Sequence, residues 1–432
     1  MGLSSSCLPS HCVLMVLILG TAAFAEDWPH WRGPSRDGHS AEVSGWTDGK
    51  WPLGDVVWRA NIGVGSSSPV VIDGKLYLLG WADGEDHLVC FDARSGEEQW
   101  RQSSPAAKFG RVATGDQGLY AGPCSTPEYD AATNALFTLG IDGDLHCWDL
   151  ANQGRQLWHR NLYDDYHAPQ RPRVNRSGRR DYGYTSSPLV QDDVLIVEVG
   201  AETGTVMGFD KRTGKELWRS AAHSPAGHTG GPVSLTLSGV PCVAVHNFDG
   251  LLVIRIDGGR AGETVAEYPW RTDFANNIAT PLVVDDSVIL TSSYNIHKVA
   301  RLKIALDGTI DVLWELEEAS KVCSPVLLGD HLYWAWRKVH CVDVRTGKQL
   351  WSGGSCGDAG SLIATADQKL IGWVGKGGLL LIENATDSAN KLTELASRRL
   401  LNQTDAWPHV VLADRHLYCR DGNGELICLP IQ

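Results

Sequence analysis

Short apolar runs, each closed by a polar turn, recur along almost the whole chain. In Val206-Met-Gly-Phe-Asp210-Lys-Arg-Thr-Gly214-Lys-Glu-Leu-Trp218 an apolar run ends at an aspartate, a polar turn follows, and a second short run ends at a tryptophan. The aspartate accepts bonds from backbone N–H groups two or three residues on, and the glycine supplies a positive φ. The segment therefore predicts a β-hairpin. Asp92–Gly96–Trp100 and Asp343–Gly347–Trp351 repeat the spacing of Asp210–Gly214–Trp218, and Asp149–Gly154–Trp158 has one extra residue before its glycine.

A second mark precedes each hairpin: a small residue and a proline open an apolar strand. It reads Ser68-Pro69, Thr126-Pro127, Ser187-Pro188, Gly231-Pro232, Thr280-Pro281 and Ser324-Pro325. Proline is tolerated at the first residue of a strand, where its missing N–H breaks no ladder bond. Weaker copies start near Leu362 and Pro408. Each unit then reads as four strands, spaced roughly as expected for propeller blades. The predicted fold is all-β: an eight-bladed propeller of four-stranded antiparallel blades over residues 55–432, after an N-terminal extension at 26–54. The last unit lacks a Trp-ended strand, and Val56-Val-Trp58-Arg-Ala near the chain start is predicted to supply it and close the ring. One packed Trp per blade buries ~150–250 Å², which is worth at most about 4–6 kcal/mol. These tryptophans are thus expected to pack blades rather than hold a cofactor.

Composition refines this picture. The net charge of −13 disfavours nucleic acid and anionic membrane surfaces as partners. An apolar run at 12–24 ending in Ala23-Phe24-Ala25 resembles a secretory signal with its cleavage site, so residues 1–25 are expected to leave and the mature protein to be secreted or periplasmic. No later segment is expected to span a membrane. Cys90, Cys147 and Cys341 each stand two residues before a motif aspartate, a repeated strand position that suits a buried small residue. Cys419 and Cys428 flank a turn and are candidates for a disulfide. Without a Cys-x-x-Cys, zinc-ribbon and haem-attachment readings have no support.

The repeat of a small residue, Asp, Gly and Trp resembles that of the pyrroloquinoline quinone (PQQ) dehydrogenase-like propellers. The likeness covers about residues 55–430. The leading segment Asp27-Trp-Pro-His-Trp-Arg-Gly-Pro-Ser-Arg-Asp-Gly38 also resembles the start of a group of secreted bacterial PQQ-like repeat proteins. One branch of the family implies quinoprotein dehydrogenases holding PQQ and Ca²⁺ in the central funnel. The other implies non-catalytic scaffolds, including a propeller of the outer-membrane β-barrel assembly machinery. The vicinal disulfide, haem domain and long insertions of the dehydrogenases are missing here. The reading is a binding or scaffold module for a protein or cell-envelope component, not an enzyme. The alternative is a PQQ- and Ca-dependent oxidoreductase acting on an alcohol or sugar.

Any chemistry is expected in the loops that lead from one blade's outer strand to the next blade's inner strand, where the copies differ. Tyr184, His228, Asn276, Lys321, Asp358, Asp405 and Trp407 are the candidate ligand-binding residues of the funnel. A calcium–quinone site would draw on the hard oxygens of Asp358, Asp405 and Asn276 with Trp407 as an aromatic floor. His223, His228 and His246 match no metal motif. The arginine-rich segment 170–180 reads as a solvated loop.

Overall fold

The fold follows from one contact repeated between neighbouring blades. A computed structural model describes residues 1–2, 26–106, 122–169, 183–226, 228–273, 276–402 and 404–432. The segment 3–25, within the expected signal, and the arginine-rich segment 170–180 lie outside the described residues. Eight antiparallel sheets form the ring: residues 70–105, 128–161, 189–219, 233–269, 282–316, 326–357, 360–399 and 411–430, numbered here as blades 1 to 8. Each begins at the strand predicted from a small residue or proline mark. In blade 6 the second and third strands are one run, His331–Asp343, that turns at Arg337 (φ 59°). Trp334 stacks on His340 across that turn with ring centroids 4.9 Å apart, so the blade keeps its four-strand layout.

The predicted closure is present. Trp58–Asn61 pairs antiparallel with Glu425–Pro430 and becomes the outer strand of blade 8, with Trp58 opposite Cys428 and Asn61 opposite Glu425. A ring closed by both ends of the chain leaves no long exposed edge at the seam.

The motif residues act across blades. Asp92, Asp210 and Asp343 accept the N–H groups two and three residues on at 2.8–3.1 Å. The extra residue after Asp149 is absorbed by a single 3₁₀ turn, Leu150–Asn152. The glycine then lies against the tryptophan of the preceding blade. A Cβ on Gly96 would stand 2.5 Å from the Trp58 ring, one on Gly154 2.5 Å from Trp100, and one on Gly214 2.7 Å from Trp158. Gly347 meets Trp314 in the same way, at 2.6 Å, a blade-5 tryptophan outside the four motif copies. The indole N–H of Trp58, Trp158 and Trp314 donates to a carbonyl of the next blade's turn at 2.8–3.0 Å.

The repeated cysteine position is explained by the same contact. Cys90, Cys147, Gly208, Cys341 and Cys428 stand directly opposite Trp100, Trp158, Trp218, Trp351 and Trp58 on the neighbouring strand. A small side chain leaves room for the indole; a Cβ on Gly208 would already be 2.2 Å from Trp218. Cys419 and Cys428 do not form the disulfide. Both are free, because Cys419 pairs with Ile427 while Cys428 pairs with Tyr418, which turns the two thiols to opposite faces of the sheet.

The small residues before the prolines tie the inner strands together. Ser68 N–H donates to Thr126 Oγ1 at 3.1 Å, Thr126 N–H to Ser187 Oγ at 2.9 Å and Thr280 N–H to Ser324 Oγ at 2.9 Å. His409 N–H returns to Ser68 Oγ at 2.8 Å and carries this hydroxyl linkage across the seam. We predict that Trp58→Ala, which empties the 8–1 interface, costs about 3–5 kcal/mol of stability. Denaturant unfolding of the two proteins measures it; an unchanged midpoint would show that the seam is held elsewhere.

Candidate binding face and its channel

The channel at the centre of the ring is filled by the chain itself. Trp28 bridges Val71 in the inner strand of blade 1 through two backbone bonds of 2.8 and 3.0 Å. Pro29 C=O accepts from Tyr129 N–H of blade 2 at 3.3 Å. The chain then crosses the channel. Trp31 Nε1 donates to Thr280 Oγ1 of blade 5 at 2.8 Å, and the Arg32 guanidinium donates to Pro325 C=O of blade 6. It returns through Arg32 (φ 66°) and Gly33 (φ 88°), where a Cβ would stand 2.9 Å from the Trp28 ring. Gly38 and Ser40 bond Ala364 of blade 7, and Glu42 accepts from Arg415 N–H of blade 8 at 2.7 Å. The extension predicted at 26–54 is thus a plug that touches six of the eight blades.

Buried charges hold the plug. Glu128 on the inner strand of blade 2 is buried; it meets His30 Nδ1 at 3.0 Å and the Arg36 guanidinium, and accepts from Val190 N–H at 3.0 Å. Burial alone would raise its carboxyl, but Arg36 and His30 outweigh that and hold it below the ordinary value. Burial lowers the Arg32 guanidinium to about 10, so it stays charged at neutral pH. Burial, with Arg32 nearby, pushes the His409 imidazole down to about 3, so it is neutral.

The plug forms the floor of the face that carries the outer-to-inner loops. Trp31 packs on His409 with ring centroids 4.2 Å apart. Around them Trp407, His228, Ile278, Val322 and Cys124 line a cavity of about 60 Å³. Thr185, Ser187 and Thr229 add hydroxyls to its wall. This mouth offers two indoles and neutral polar groups, suited to contact with a protein surface rather than to enclosing a large ligand.

The predicted funnel residues fall in several places. His228 and Trp407 both line the mouth. Asn276 is buried beside it: its Oδ1 meets His228 Nδ1 at 3.2 Å, and its Nδ2 donates to Tyr294 Oη at 2.9 Å. The pairs His228–Asn276 and Thr229–Asn277 form a short parallel ladder between two loops. Lys321 and Asp358 face each other at 3.5 Å, with Arg337 at 3.9 Å from Asp358. Tyr184 is buried between blades 2 and 3, donating to Val199 C=O at 2.6 Å. Asp405 is half-buried on the loop that carries Trp407, away from the cavity wall. His246 packs against Trp270 in the core, while His223 is exposed. Arg111, Asp116, Tyr120 and Tyr182, which the sequence also places in the outer-to-inner loops, lie outside the described residues. Sequence reasoning missed Trp31 as part of the floor.

These residues do not fit a calcium–quinone group. Asp358 is engaged by two cations, Asn276 by two side chains, and the indole of Trp31 stands in the channel where a flat ligand would lie. A cavity of about 60 Å³ is well below the ~300–1,000 Å³ typical of ligand pockets.

A family model described as outer membrane protein assembly factor BamB matches residues 52–121 and 87–353, well over half of the chain. The chain belongs to this family of PQQ-like repeat propellers. The outer membrane protein assembly factor BamB of Burkholderia pseudomallei is 25% identical over 231 residues, 44% of this chain and 54% of the relative. The chain thus spans about half the length of the curated relative it matches. Among solved structures, BamB from Moraxella catarrhalis superposes with a TM-score of 0.56 at 15% identity, covering 88% of this chain and 99% of that one. The C-terminal WD40 domain of Sif2 gives 0.55 at 11% identity, covering 88% and 98%. Both show the shared propeller fold.

Two buried carboxylates give opposite pH responses. Glu128, held low, contributes stability above the ordinary carboxylate range that is lost as pH falls through its folded value. Glu128→Gln is expected to cost about 3–5 kcal/mol at pH 7, because it strands the charge of Arg36, and to flatten the acid limb of the stability profile. Asp86, beside blade 2, is pushed up to about 7 by burial and then by Asp142 and Asp144, and its Oδ1 has no hydrogen-bond partner among the described residues. Its folded value lies above the ordinary one, so stability falls as pH rises from about 4 to about 7. Asp86→Asn is expected to raise stability above pH 7, by at most roughly 4 kcal/mol, and to change little at pH 4. Urea titrations at pH 4, 6 and 8 test both; parallel profiles for mutant and parent would refute these assignments.

Proposed function

We propose that this protein is a cell-envelope scaffold, secreted or periplasmic, that presents the loop face of its ring to a protein partner in outer-membrane protein assembly. The observation that carries the reading is the plugged channel in a chain of the BamB family. The ring is complete, its centre is occupied by Trp31 and Arg32, and the face above offers Trp407, His228 and the Lys321–Asp358 pair instead of a deep pocket. The name carried by the relatives, an assembly factor for outer membrane proteins, fits a module whose work is done by surface contact. Indoles at the centre of a face, ringed by polar groups, are the composition of protein-binding hot spots.

The quinoprotein alternative needs the channel that the plug fills. It is tested by adding PQQ and Ca²⁺ to purified protein and following dye reduction with a panel of alcohols and aldoses. No saturable quinone binding and no turnover are expected, and turnover would overturn the scaffold reading. The positive test is genetic. Loss of the protein is expected to lower the level of folded outer membrane proteins in its host. Wild-type protein should restore that level. Trp407→Ala, a half-buried residue at the mouth, should restore it only in part while folding normally. Full rescue by Trp407→Ala together with Lys321→Glu would move the partner site off this face.

A further inference from the structure

Between the outer halves of blades 6 and 7 the ring opens into a cleft of about 470 Å³. Its blade-6 wall is Ser355, Cys356 and Gly357, at the end of the outer strand Gln349–Gly357. Gly357 closes on Gly375 of blade 7, where an added Cβ would stand 3.1 Å from its Cα. The opposite wall is the outer hairpin of blade 7, with Gly378 opposite Arg399 and Leu380 opposite Ser397. Side chains alternate along a strand. Arg399 and Ser397 therefore share one face, while Arg398 reaches the other side and binds Gly54 C=O at 2.8 Å and Asp55 at 2.7 Å.

Lys376 and Arg399 line this cleft, one from each end of the outer hairpin of blade 7. Lys376, on the turn between the second and third strands of blade 7, is exposed and makes no ion pair or hydrogen bond among the described residues. Arg399 is likewise exposed and unpaired. Several exposed arginines of other blades face carboxylates, as in Arg94–Asp414 at 2.6 Å, Arg101–Glu98 at 2.8 Å and Arg212–Asp193 at 2.7 Å. One carboxylate, Glu394, belongs to the cleft wall and opposes the cations. Two free cations in a concave site of a chain with net charge −13 form a local focus for an anion.

We propose that this cleft binds a small molecule bearing a phosphate or carboxylate group. The oxyanion lies between Lys376 and the Arg399 guanidinium, whose planar fork suits bidentate contact with such groups. The volume falls in the range of small-molecule pockets, so the ligand extends beyond its anion along Leu380, on the same face as Arg399 and Ser397. The site stands apart from the channel mouth and does not depend on the role of that face.

Calorimetric titration of purified protein with inorganic phosphate, citrate and neutral glucose tests the proposal. Citrate and phosphate are expected to bind and glucose not. Lys376→Gln with Arg399→Gln should weaken citrate by about tenfold or more. Glu394→Gln, which removes the opposing charge, should tighten it about threefold. All three residues are exposed, so folding should persist, and thermal unfolding checks it. Sedimentation with phosphatidylglycerol vesicles forms the second arm: vesicle binding lost in the double variant, with weak binding of soluble anions, would assign the phosphate to a lipid headgroup. Equal affinities in all three proteins, or no binding of either anion or of vesicles up to about 20 mM probe or lipid phosphate, would overturn the site.

Discussion

The contact on which the ring depends is an indole laid over a glycine of the next blade. It needs two things at one position: backbone with φ near 70° and no Cβ beneath the ring. The aspartate four residues earlier fixes that turn by capping its N–H groups. The small residue opposite the tryptophan gives the indole room on its own blade. What reads as a local motif is therefore shared between neighbours, with Asp and Gly from one blade and Trp from the one before. The repeat can build a ring of any content at its centre, since none of its side chains faces the channel.

Closing such a ring raises two demands, and residues 26–61 answer both. The last blade lacks an outer strand, and Trp58–Asn61 supplies it with the indole already in register for Gly96. The axis of eight blades is also wider than side chains from short inner strands can fill. Residues 27–44 fill it, at the cost of burying Arg32 and Glu128. Glu128 is met by Arg36, His30 and Val190 N–H, while Arg32 donates through Nη2 to the carbonyls of Asp37 and Pro325 and leaves Nε and Nη1 without partners among the described residues. At blade 7, where Ala396 stands at the tryptophan position, Trp46 and Trp51 of the same extension pack on the adjoining core. The extension is thus structural across its whole length.

The repeat, its period, the number of blades and the strand that closes them were legible in the sequence, because hairpin turns and proline-led strands are local signals. The role of the small residue before each proline was not. Ser68, Thr126 and Ser187 look like permissive turn residues, and their hydroxyls acquire partners only when the blades are set side by side. The site was less legible still. His228 and Trp407 come together because their loops converge, but Asn276, Asp358 and Tyr184 are consumed by neighbours that lie far away in sequence. Trp31 escaped notice for the same reason: a tryptophan in an irregular N-terminal segment gives no sign that it will stand on the axis of a ring built by the following four hundred residues. The thirteen-residue strand of blade 6 also hides its turn, since Arg337 takes a left-handed conformation without a glycine to announce it.

A repeat tied by name to a quinone cofactor can thus be retained with no quinone site, and the physical reason is a separation of surfaces. The tryptophans and glycines act between blades, at the radius where the outer strands meet. A channel ligand would act at the inner strands, through loops that the repeat leaves free to vary. Selection on ring stability therefore preserves the motif whatever the channel holds. Here the channel holds the chain's own Trp31 and Arg32, locked by buried ion pairs that a ligand would have to break. With the centre committed to stability, the surfaces left free to vary are the loop face and the places where a blade departs from the pattern. Both kinds of place owe their shape to small local changes on a scaffold that does not itself change.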